Sequence, residues 1–349
     1  MEKPEKLPVE NLGELFYIPR PWDIKRVSGG LIHRTYQLRS EIGVFSLQAL
    51  HPKLSGDEIL CDYDAITTHL QQERFPAPRL IKTVNDEPAA DVNGTKWRLT
   101  TWLHGDTKTK VKKTETAYQA AKLLGRFHKV AANIDHVFQS DHPLHDTTFH
   151  MKALQQALEN FFFSSGRDNE LDAETLKWIE ELSDETLSRL SVMTREFQNP
   201  PLPNWVVHGD PKISNIVFHQ GKAEAIGLID LDTCARHTVL VDLGDAIRSW
   251  TPTGTEERSG GFRPDILKAL LDGYQASGFP LTQEEKGRIA LAGPLITWEL
   301  CSRFIRDVIE DSYFGWNPAE YPSRRAHNIE RAKSMAELAR MLEQASIDI

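Results

Sequence analysis

The sequence has few cysteines, and they are far apart. Only three of the 349 residues are cysteines (Cys61, Cys234 and Cys301), and no two of them have the short spacing of a metal-binding pair. Scattered cysteines indicate reduced thiols, which are typical of proteins in a reducing compartment. The cysteine content therefore excludes a disulfide-stapled secreted scaffold and favours the cytoplasm.

Long apolar runs and a basic excess are also missing. No stretch of about 18 uninterrupted apolar residues occurs, as a transmembrane helix would need. The opening residues, MEKPEKLPVE, lack the apolar core of a secretory signal peptide. The formal net charge is −9, whereas a nucleic-acid-binding surface normally shows a clustered basic excess. We therefore expect a soluble cytoplasmic protein that binds neither membranes nor nucleic acid.

What the sequence does contain is a change of pattern about one third of the way along. The first part is dominated by strand candidates, at 34–40, 44–50 and 96–103. It contains one amphipathic helix candidate, at 56–72. Later apolar residues recur at helical spacing, at 114–134, 149–163, 172–197 and 329–345. We predict an α+β protein with a small β-rich N-terminal lobe (1–104) and a larger helical C-terminal lobe (105–349). A cleft between two unequal lobes is a usual place for a ligand site.

The segment 206–233, VVHGDPKISNIVFHQGKAEAIGLIDLDT, places carboxylates and a carboxamide directly after two apolar runs. Asp210 follows the first run, Asn215 comes five residues later, and Asp230 ends the second run. Charge is costly to desolvate beside buried strands, so a cation or a group about to lose a proton is expected between these side chains. Phosphoryl transfer needs both: hard oxygen ligands for magnesium, and a carboxylate that accepts the proton of the acceptor hydroxyl.

The order of these residues is that of the kinase catalytic loop. We predict that Asp210 is the catalytic base and that Asn215 and Asp230 hold magnesium. Lys212 lies two residues after the base, where its ammonium group could offset charge on the transferring phosphoryl group. The alternative for Lys212 is an ordinary solvent-exposed lysine.

Neighbouring polar residues have structural explanations. We expect His208 to steady the loop by a hydrogen bond to the backbone, and Asp242 to accept backbone N–H groups of the catalytic loop from the start of a helix. For Asp232 the sequence leaves two interpretations, a metal ligand or the cap of a turn.

Four residues close together, His142, His145, Asp146 and His150, could suggest zinc. A second cluster with ligand spacing, which would complete a tetrahedral site, is missing from the sequence. A polar loop near the cleft is the favoured interpretation.

The strings HGDPKISN, IDLDT and VDLGDAIR resemble the motifs of the aminoglycoside phosphotransferase and choline kinase superfamily, whose members are relatives of protein kinases. Within it, the similarity is greatest to the N-acetylhexosamine 1-kinase branch, on SGGLIHRTYQL, FSLQALH, WRLTTWL, LLGRFH, LHDT, RFIRDVIEDSYF and HNIERA. The resemblance implies a protein-kinase-like two-lobed fold, ATP and Mg2+, and transfer of the γ-phosphoryl group to the anomeric hydroxyl of an N-acetylhexosamine or related sugar.

The resemblance also implies nucleotide ligands. Ser28, Gly29 and Gly30 correspond to the loop over the phosphates, and Gln48 stands where kinases usually carry a lysine on the third strand. Glutamine donates a hydrogen bond but brings no charge. Because the hexosamine kinase branch resembles this chain at that position, glutamine included, we interpret Gln48 as a mark of the branch. Magnesium and Lys212 would then balance the phosphate charge.

The segment TWELCSRFIRDVIED carries Glu299, Arg303 and Asp307 four residues apart, on one face of a helix. A solvated row of ion pairs is one interpretation. The apolar surroundings and the family's substrate contacts in this region favour Arg303 as a substrate ligand, since a planar guanidinium suits sugar hydroxyls and carbonyls.

Two alternatives stay open. A different acceptor would keep the chemistry and change the substrate: choline would need an aromatic cage, a cationic aminoglycoside an acidic pocket, and homoserine is a third possibility. The second alternative is a non-catalytic nucleotide-binding regulator, motivated by Gln48. The sequence also leaves open whether ATP or GTP is the donor, and the oligomeric state.

Overall fold

The computed structural model describes residues 9–27, 33–139, 144–163 and 171–345. Its N-terminal part is an antiparallel sheet whose strands are β1 (Asp23–Arg26), β2 (Arg34–Ser40), β3 (Gly43–Ala49), β4 (Leu80–Ile81), β5 (Ala90–Val92) and β6 (Thr95–Thr101). The strand order is β1-β2-β3-β6-β4, and β5 also pairs with β6.

The two faces of this sheet have different neighbours, because successive side chains of a strand point to opposite sides. One face carries Leu47 and Leu99, each 1% exposed, and packs with the short helix α1 (Val9–Leu15) into an apolar core. The other face carries Gln48 and Arg98, which lie opposite each other in the register of β3 and β6. On that side, the guanidinium of Arg98 lies over Tyr63 of helix α2 (Asp57–Gln72). The polar face is thus turned towards the rest of the molecule.

The C-terminal part is mainly helical. Its helices are α3 (Thr114–Ala131), α4 (Thr147–Phe163), α5 (Ala173–Gln198), α6 (Leu240–Trp250), α7 (Pro264–Gln275), α8 (Gln283–Lys286), α9 (Ile289–Glu310) and α10 (Arg324–Gln344). Helix α9 packs against α4, α5, α6 and α10. A helix covered on most sides is apolar around most of its circumference, as Trp298, Phe304 and Val308 (each 0% exposed) illustrate here.

The segment 206–233 lies in and between two short antiparallel strand pairs. Strand β7 (Trp205–Val207) pairs with β10 (Ala235–His237), and β8 (Ile216–Phe218) pairs with β9 (Ala225–Leu228). The turns between these strands face the polar side of the N-terminal sheet, since Arg98 of β6 contacts Asp232 in the turn after β9. The predicted α+β fold class, with a small β N-lobe and a helical C-terminal region, is confirmed.

No helix in the described part of the chain is both long and apolar enough to cross a membrane.

Candidate active site

The loop after β7 is anchored by a buried carboxylate. Asp242, in the first turn of α6, accepts hydrogen bonds from the backbone N–H groups of His208 (2.7 Å) and Gly209 (2.8 Å). His128 Nε2 of α3 lies 2.8 Å from the same carboxylate. Burial raises the pKa of Asp242, but the hydrogen bonds and the charge of His128 outweigh burial and lower it. The predicted structural role of Asp242 is confirmed.

His208 joins this loop to the turn after β9. Its Nδ1 accepts from the backbone N–H of Asp210 (3.3 Å), so its Nε2 donates to the carbonyl of Ile229 (3.0 Å). The backbone contact predicted for His208 is thus confirmed. Gly209 has φ +84°, and a Cβ there would lie 2.4 Å from the carbonyl oxygen of Thr233. Only glycine fits this left-handed position without strain.

Asp210 and Lys212 form an ion pair at the tip of the loop. Lys212 Nζ lies 3.1 Å from each oxygen of the Asp210 carboxylate. Burial raises the pKa of Asp210, yet the charge and hydrogen bond of Lys212 prevail and lower it. Asp210 is therefore ionised, which a base requires. Lys212 is half-buried and paired with Asp210, so it is not an isolated solvent-exposed lysine, and its catalytic role stays a prediction.

Asn215 and Asp230 come together through the β8–β9 pair. Asn215 Nδ2 donates to the Asp210 carbonyl (2.9 Å), which leaves Asn215 Oδ1 for another ligand, and the backbone N–H of Ile229 donates to the Asn215 carbonyl (2.9 Å). Asp230 adopts a left-handed backbone (φ 66°) at the end of this pair.

Asp230 is exposed, although the surrounding protein atoms partly desolvate its carboxylate. This desolvation, followed by the negative charges of Asp232 and Asp210, raises the pKa of Asp230. A carboxylate in such a field gains most from a nearby cation. Asn215 Oδ1 and the Asp230 carboxylate are hard oxygen ligands of the kind that magnesium prefers, and their role as metal ligands stays a prediction.

Asp232 has a different partner from either one expected. Arg98 donates to both of its carboxylate oxygens, Nη1 to Oδ1 at 2.6 Å and Nη2 to Oδ2 at 2.9 Å. Burial raises the pKa of Asp232, but the Arg98 charge outweighs burial and holds the pKa well below the ordinary range. Ligand atoms of His33, Asp230 and Asp232 do lie within 4.8 Å of one another, a spacing that a metal could bridge. The guanidinium nevertheless already occupies both Asp232 oxygens.

Gln48 also contacts Arg98. Its Oε1 accepts from Arg98 Nη2 (2.8 Å) and Nε (3.2 Å), and the Arg98 guanidinium lies 3.7 Å from the ring centroid of Tyr63. The other predicted nucleotide ligands, Ser28, Gly29 and Gly30, lie outside the described residues.

A second polar cluster lies between α4 and α9. Glu299, fully buried, is 2.8 Å from His145 Nδ1 and accepts from Thr147 Oγ1 at 2.6 Å. Burial raises the pKa of Glu299, but the charge of His145 dominates and lowers it to about 2. Burial lowers the pKa of His145, but the charge of Glu299 dominates and raises it. The interpretation of Glu299 as part of a solvated row is wrong.

This cluster extends to the catalytic loop through α6. The charge of Asp245 acts on both His145 and Lys212, so the three residues lie in one neighbourhood. Arg248 donates twice to Asp245 Oδ1, at 2.9 and 2.5 Å. Two buried atoms here, His145 Nε2 and Asp245 Oδ2, have no hydrogen-bond partner among the described residues. Sequence reasoning missed Asp245, although its i,i+3 spacing from Asp242 was a usable signal.

Arg303 and the histidine-rich segment border the same cluster. Arg303 is half-buried, and its charge acts on His145 and His150. Its guanidinium lies 5.6 Å from the ring centroid of Phe314. His145 lies in the loop before α4, where its side chain is buried, and His142 lies outside the described residues.

Comparison with known families decides the identity of this fold. A profile described as the phosphotransferase enzyme family matches residues 23–280, which include both strand pairs and the loop of Asp210. The chain belongs to this family. It is an ATP-dependent phosphotransferase that uses an alcohol group as acceptor. The superfamily expected from the sequence is thereby confirmed.

This phosphotransferase is 24% identical to the homoserine kinase of Zymomonas mobilis over 263 residues, which are 75% of this chain and 74% of that protein. Among solved structures it is similar to amicoumacin kinase in complex with AMP-PNP and Ca2+ (TM-score 0.65, 13% identity, 98% of this chain and 94% of that one). It is also similar to spectinomycin phosphotransferase in complex with ADP and spectinomycin (TM-score 0.62, 15% identity, 97% and 98%). At these identities the structural likeness concerns the fold.

Proposed function

We propose that this phosphotransferase moves the γ-phosphoryl group of ATP to a hydroxyl of an N-acetylhexosamine or related sugar, most simply the anomeric hydroxyl. The observation that carries the chemistry is the ionised Asp210 beside Lys212, on a loop fixed by Asp242. The resemblance of FSLQALH, LHDT and RFIRDVIEDSYF to the N-acetylhexosamine 1-kinase branch supports the sugar.

In this mechanism Asp210 orients the acceptor hydroxyl and accepts its proton as the bond to phosphorus forms. Lys212 holds the carboxylate in place and offers positive charge to the transferring phosphoryl group. Asn215 Oδ1 and the Asp230 carboxylate would hold Mg2+, which when bound neutralises charge on the phosphates. Gln48 would donate to the nucleotide.

The cluster between α4, α6 and α9 is our proposed acceptor site. His145 offers an N–H group at Nε2, Asp245 offers an acceptor oxygen, and Arg303 offers a planar donor. Two donors and one acceptor of this kind suit the hydroxyls and the acetamido carbonyl of a sugar. Because both His145 and Asp245 are buried, an acceptor that leaves either atom unpaired would bind more weakly.

Homoserine is the second candidate acceptor. The relationship to a homoserine kinase favours it, and so does the charge of the site. The carboxylate of Asp245 would pair with an ammonium group, while Arg303 would pair with a carboxylate. A neutral sugar carries neither an ammonium group nor a carboxylate, so the site would bind the two acceptors through different contacts.

The test measures ADP release from ATP and from GTP with a panel of N-acetylhexosamines, other sugars, homoserine, choline and aminoglycosides. We expect turnover with an N-acetylhexosamine, a phosphorus NMR signal from the anomeric phosphate, and loss of turnover in Asp210→Asn. Asp184→Asn, which alters an exposed aspartate of α5, is the matched control and should keep wild-type activity.

Turnover with homoserine alone would replace the sugar by the second candidate. Nucleotide binding without turnover on any acceptor would refute the proposed reaction and support a regulator.

A further inference from the structure

We propose that Arg98 takes over the positioning role that a third-strand lysine has in other kinases. Arg98 is paired with Asp232 and holds the side chain of Gln48. In this orientation the NH2 group of Gln48 donates to the nucleotide phosphates. The inference rests on the proposed function, because it requires a nucleotide between the sheet and the catalytic loop. It answers how a chain with an uncharged residue at this position can bind a polyanion.

The orientation of the Gln48 amide follows from its partner. Arg98 donates two hydrogen bonds to one atom of the Gln48 side chain. A guanidinium has no acceptor, so that atom is the oxygen Oε1 and the Nε2 group points away from Arg98. Gln48 is only half-buried, and no contact of Nε2 occurs among the described residues. The two Nε2 hydrogens are therefore left for a ligand.

The position of Arg98 is fixed by the sheet. Gln48 and Arg98 are direct partners across β3 and β6, and strand alternation puts both on the face opposite the apolar core. The Tyr63 ring lies under the guanidinium at 3.7 Å, and Arg98 is 1% exposed. Strand β6 and the Tyr63 ring of helix α2 therefore hold the guanidinium in place.

The ion pair with Asp232 connects the two lobes. The side chains of Arg98 and Asp232 are 1% and 2% exposed, and the two hydrogen bonds are of the bidentate kind. Asp232 lies two residues after Asp230, so Arg98 holds the turn that carries a proposed magnesium ligand. In protein kinases a third-strand lysine pairs with a glutamate of a helix to organise the site. Here the cation is Arg98 on β6, the strand beside β3, and its carboxylate partner is Asp232 in the turn after β9.

The central test is Gln48→Glu, studied without any acceptor. In this variant one carboxylate oxygen would face Arg98 and keep its hydrogen bonds, while the second oxygen would replace the NH2 group that faces the phosphates. We expect the Kd for AMP-PNP, measured by calorimetry with magnesium, to rise at least about tenfold, and the melting temperature to be kept. Gln37→Glu is a matched control, since Gln37 Oε1 also accepts from an arginine (Arg39 Nε, 3.0 Å) in the same sheet. It should leave the Kd unchanged.

A second variant separates positioning from metal binding. Asp232→Asn removes the ion pair of Arg98, so we expect weaker binding of ADP both with magnesium and in EDTA. A metal ligand at this position would instead weaken binding only when magnesium is present.

The outcomes are decisive in each direction. A Kd of Gln48→Glu within about twofold of wild type, or an equal loss in Gln37→Glu, would overturn the role of Gln48 and leave the proposed reaction intact. Wild-type ADP binding by Asp232→Asn in EDTA would overturn the role of Arg98. Failure of the wild-type protein to bind any nucleotide would overturn the proposed function and this inference together.

Discussion

A methyl group added at Gly209 offers a sharp test of how the catalytic loop is held. Gly209 combines a left-handed backbone (φ +84°) with a close approach, since a Cβ would lie 2.4 Å from the Thr233 carbonyl oxygen. Alanine in the left-handed region costs about 1–2 kcal/mol, and overpacking at a rigid backbone atom costs about 1–3 kcal/mol. Gly209→Ala should therefore lower the free energy of unfolding by about 2–5 kcal/mol.

The chain provides a control that isolates the steric part. Gly221 also has a left-handed backbone (φ +70°), but nothing lies within 4 Å of its added Cβ. Gly221→Ala should thus cost only the backbone term, about 1–2 kcal/mol. Urea unfolding of both variants measures the difference, provided that the slopes agree.

Activity should separate the two variants further. Gly209 precedes the proposed base, and a displacement of about 1 Å at a catalytic group can cost about 100-fold in rate. We expect kcat to fall by that order in Gly209→Ala and to stay at the wild-type level in Gly221→Ala. Equal losses of stability in the two variants would refute the steric reasoning, because only the backbone term would then be acting.

Two further predictions concern the proposed acceptor site. His145 should titrate by NMR above 6.5, because the Glu299 charge outweighs burial; Glu299→Gln should move its pKa below that value. Since the folded pKa is raised, the stabilisation by protonated His145 is fully present below pH 6.5 and is lost as the pH rises through the raised value. Glu299→Gln should reverse the sign of this pH dependence, because burial would then hold the folded pKa of His145 below its unfolded value. Asp245→Asn should raise the KM for the acceptor about tenfold or more, because a charge or hydrogen bond to the acceptor is lost, while the nucleotide Kd stays constant. A change in the nucleotide Kd with an unchanged acceptor KM would refute the assignment of Asp245 to the acceptor site.

Local patterns were enough to predict most elements of the fold. The alternation in RTYQLRS predicted β2 at Arg34–Ser40, and the helix predicted at 56–72 is α2 at Asp57–Gln72. Helix α10 begins at Arg324, five residues before the predicted start at 329. Its first turn, RRAHN, has no apolar spacing, so periodicity missed it. The signal that would have found it is Ser323, whose Oγ accepts from the backbone N–H of Ala326 (3.1 Å).

Long-range ion pairs were beyond any local pattern. Arg98 and Asp232 are 134 residues apart, and His145 and Glu299 are 154 apart. Sequence spacing identified Asp232 only as a carboxylate near a catalytic turn, because nothing nearby in the chain marks its partner. The four-residue spacing of Glu299 and Arg303 likewise resembles an exposed ion-pair row. Only the packing of α9 among other helices shows that Glu299 is buried and turned towards α4.

Each of these buried ion pairs fixes a polar group that is available to a ligand. Arg98 with Asp232 orients the NH2 group of Gln48, while the pairs of Glu299 with His145 and of Arg248 with Asp245 each leave one buried polar atom without a partner in the described structure. Desolvation of each ion costs several kcal/mol, so such pairs are poor devices for stability alone. Their geometry does fix the direction of a donor or an acceptor, and phosphoryl transfer depends mainly on positioning and electrostatics. We therefore attribute these pairs to the orientation of substrates.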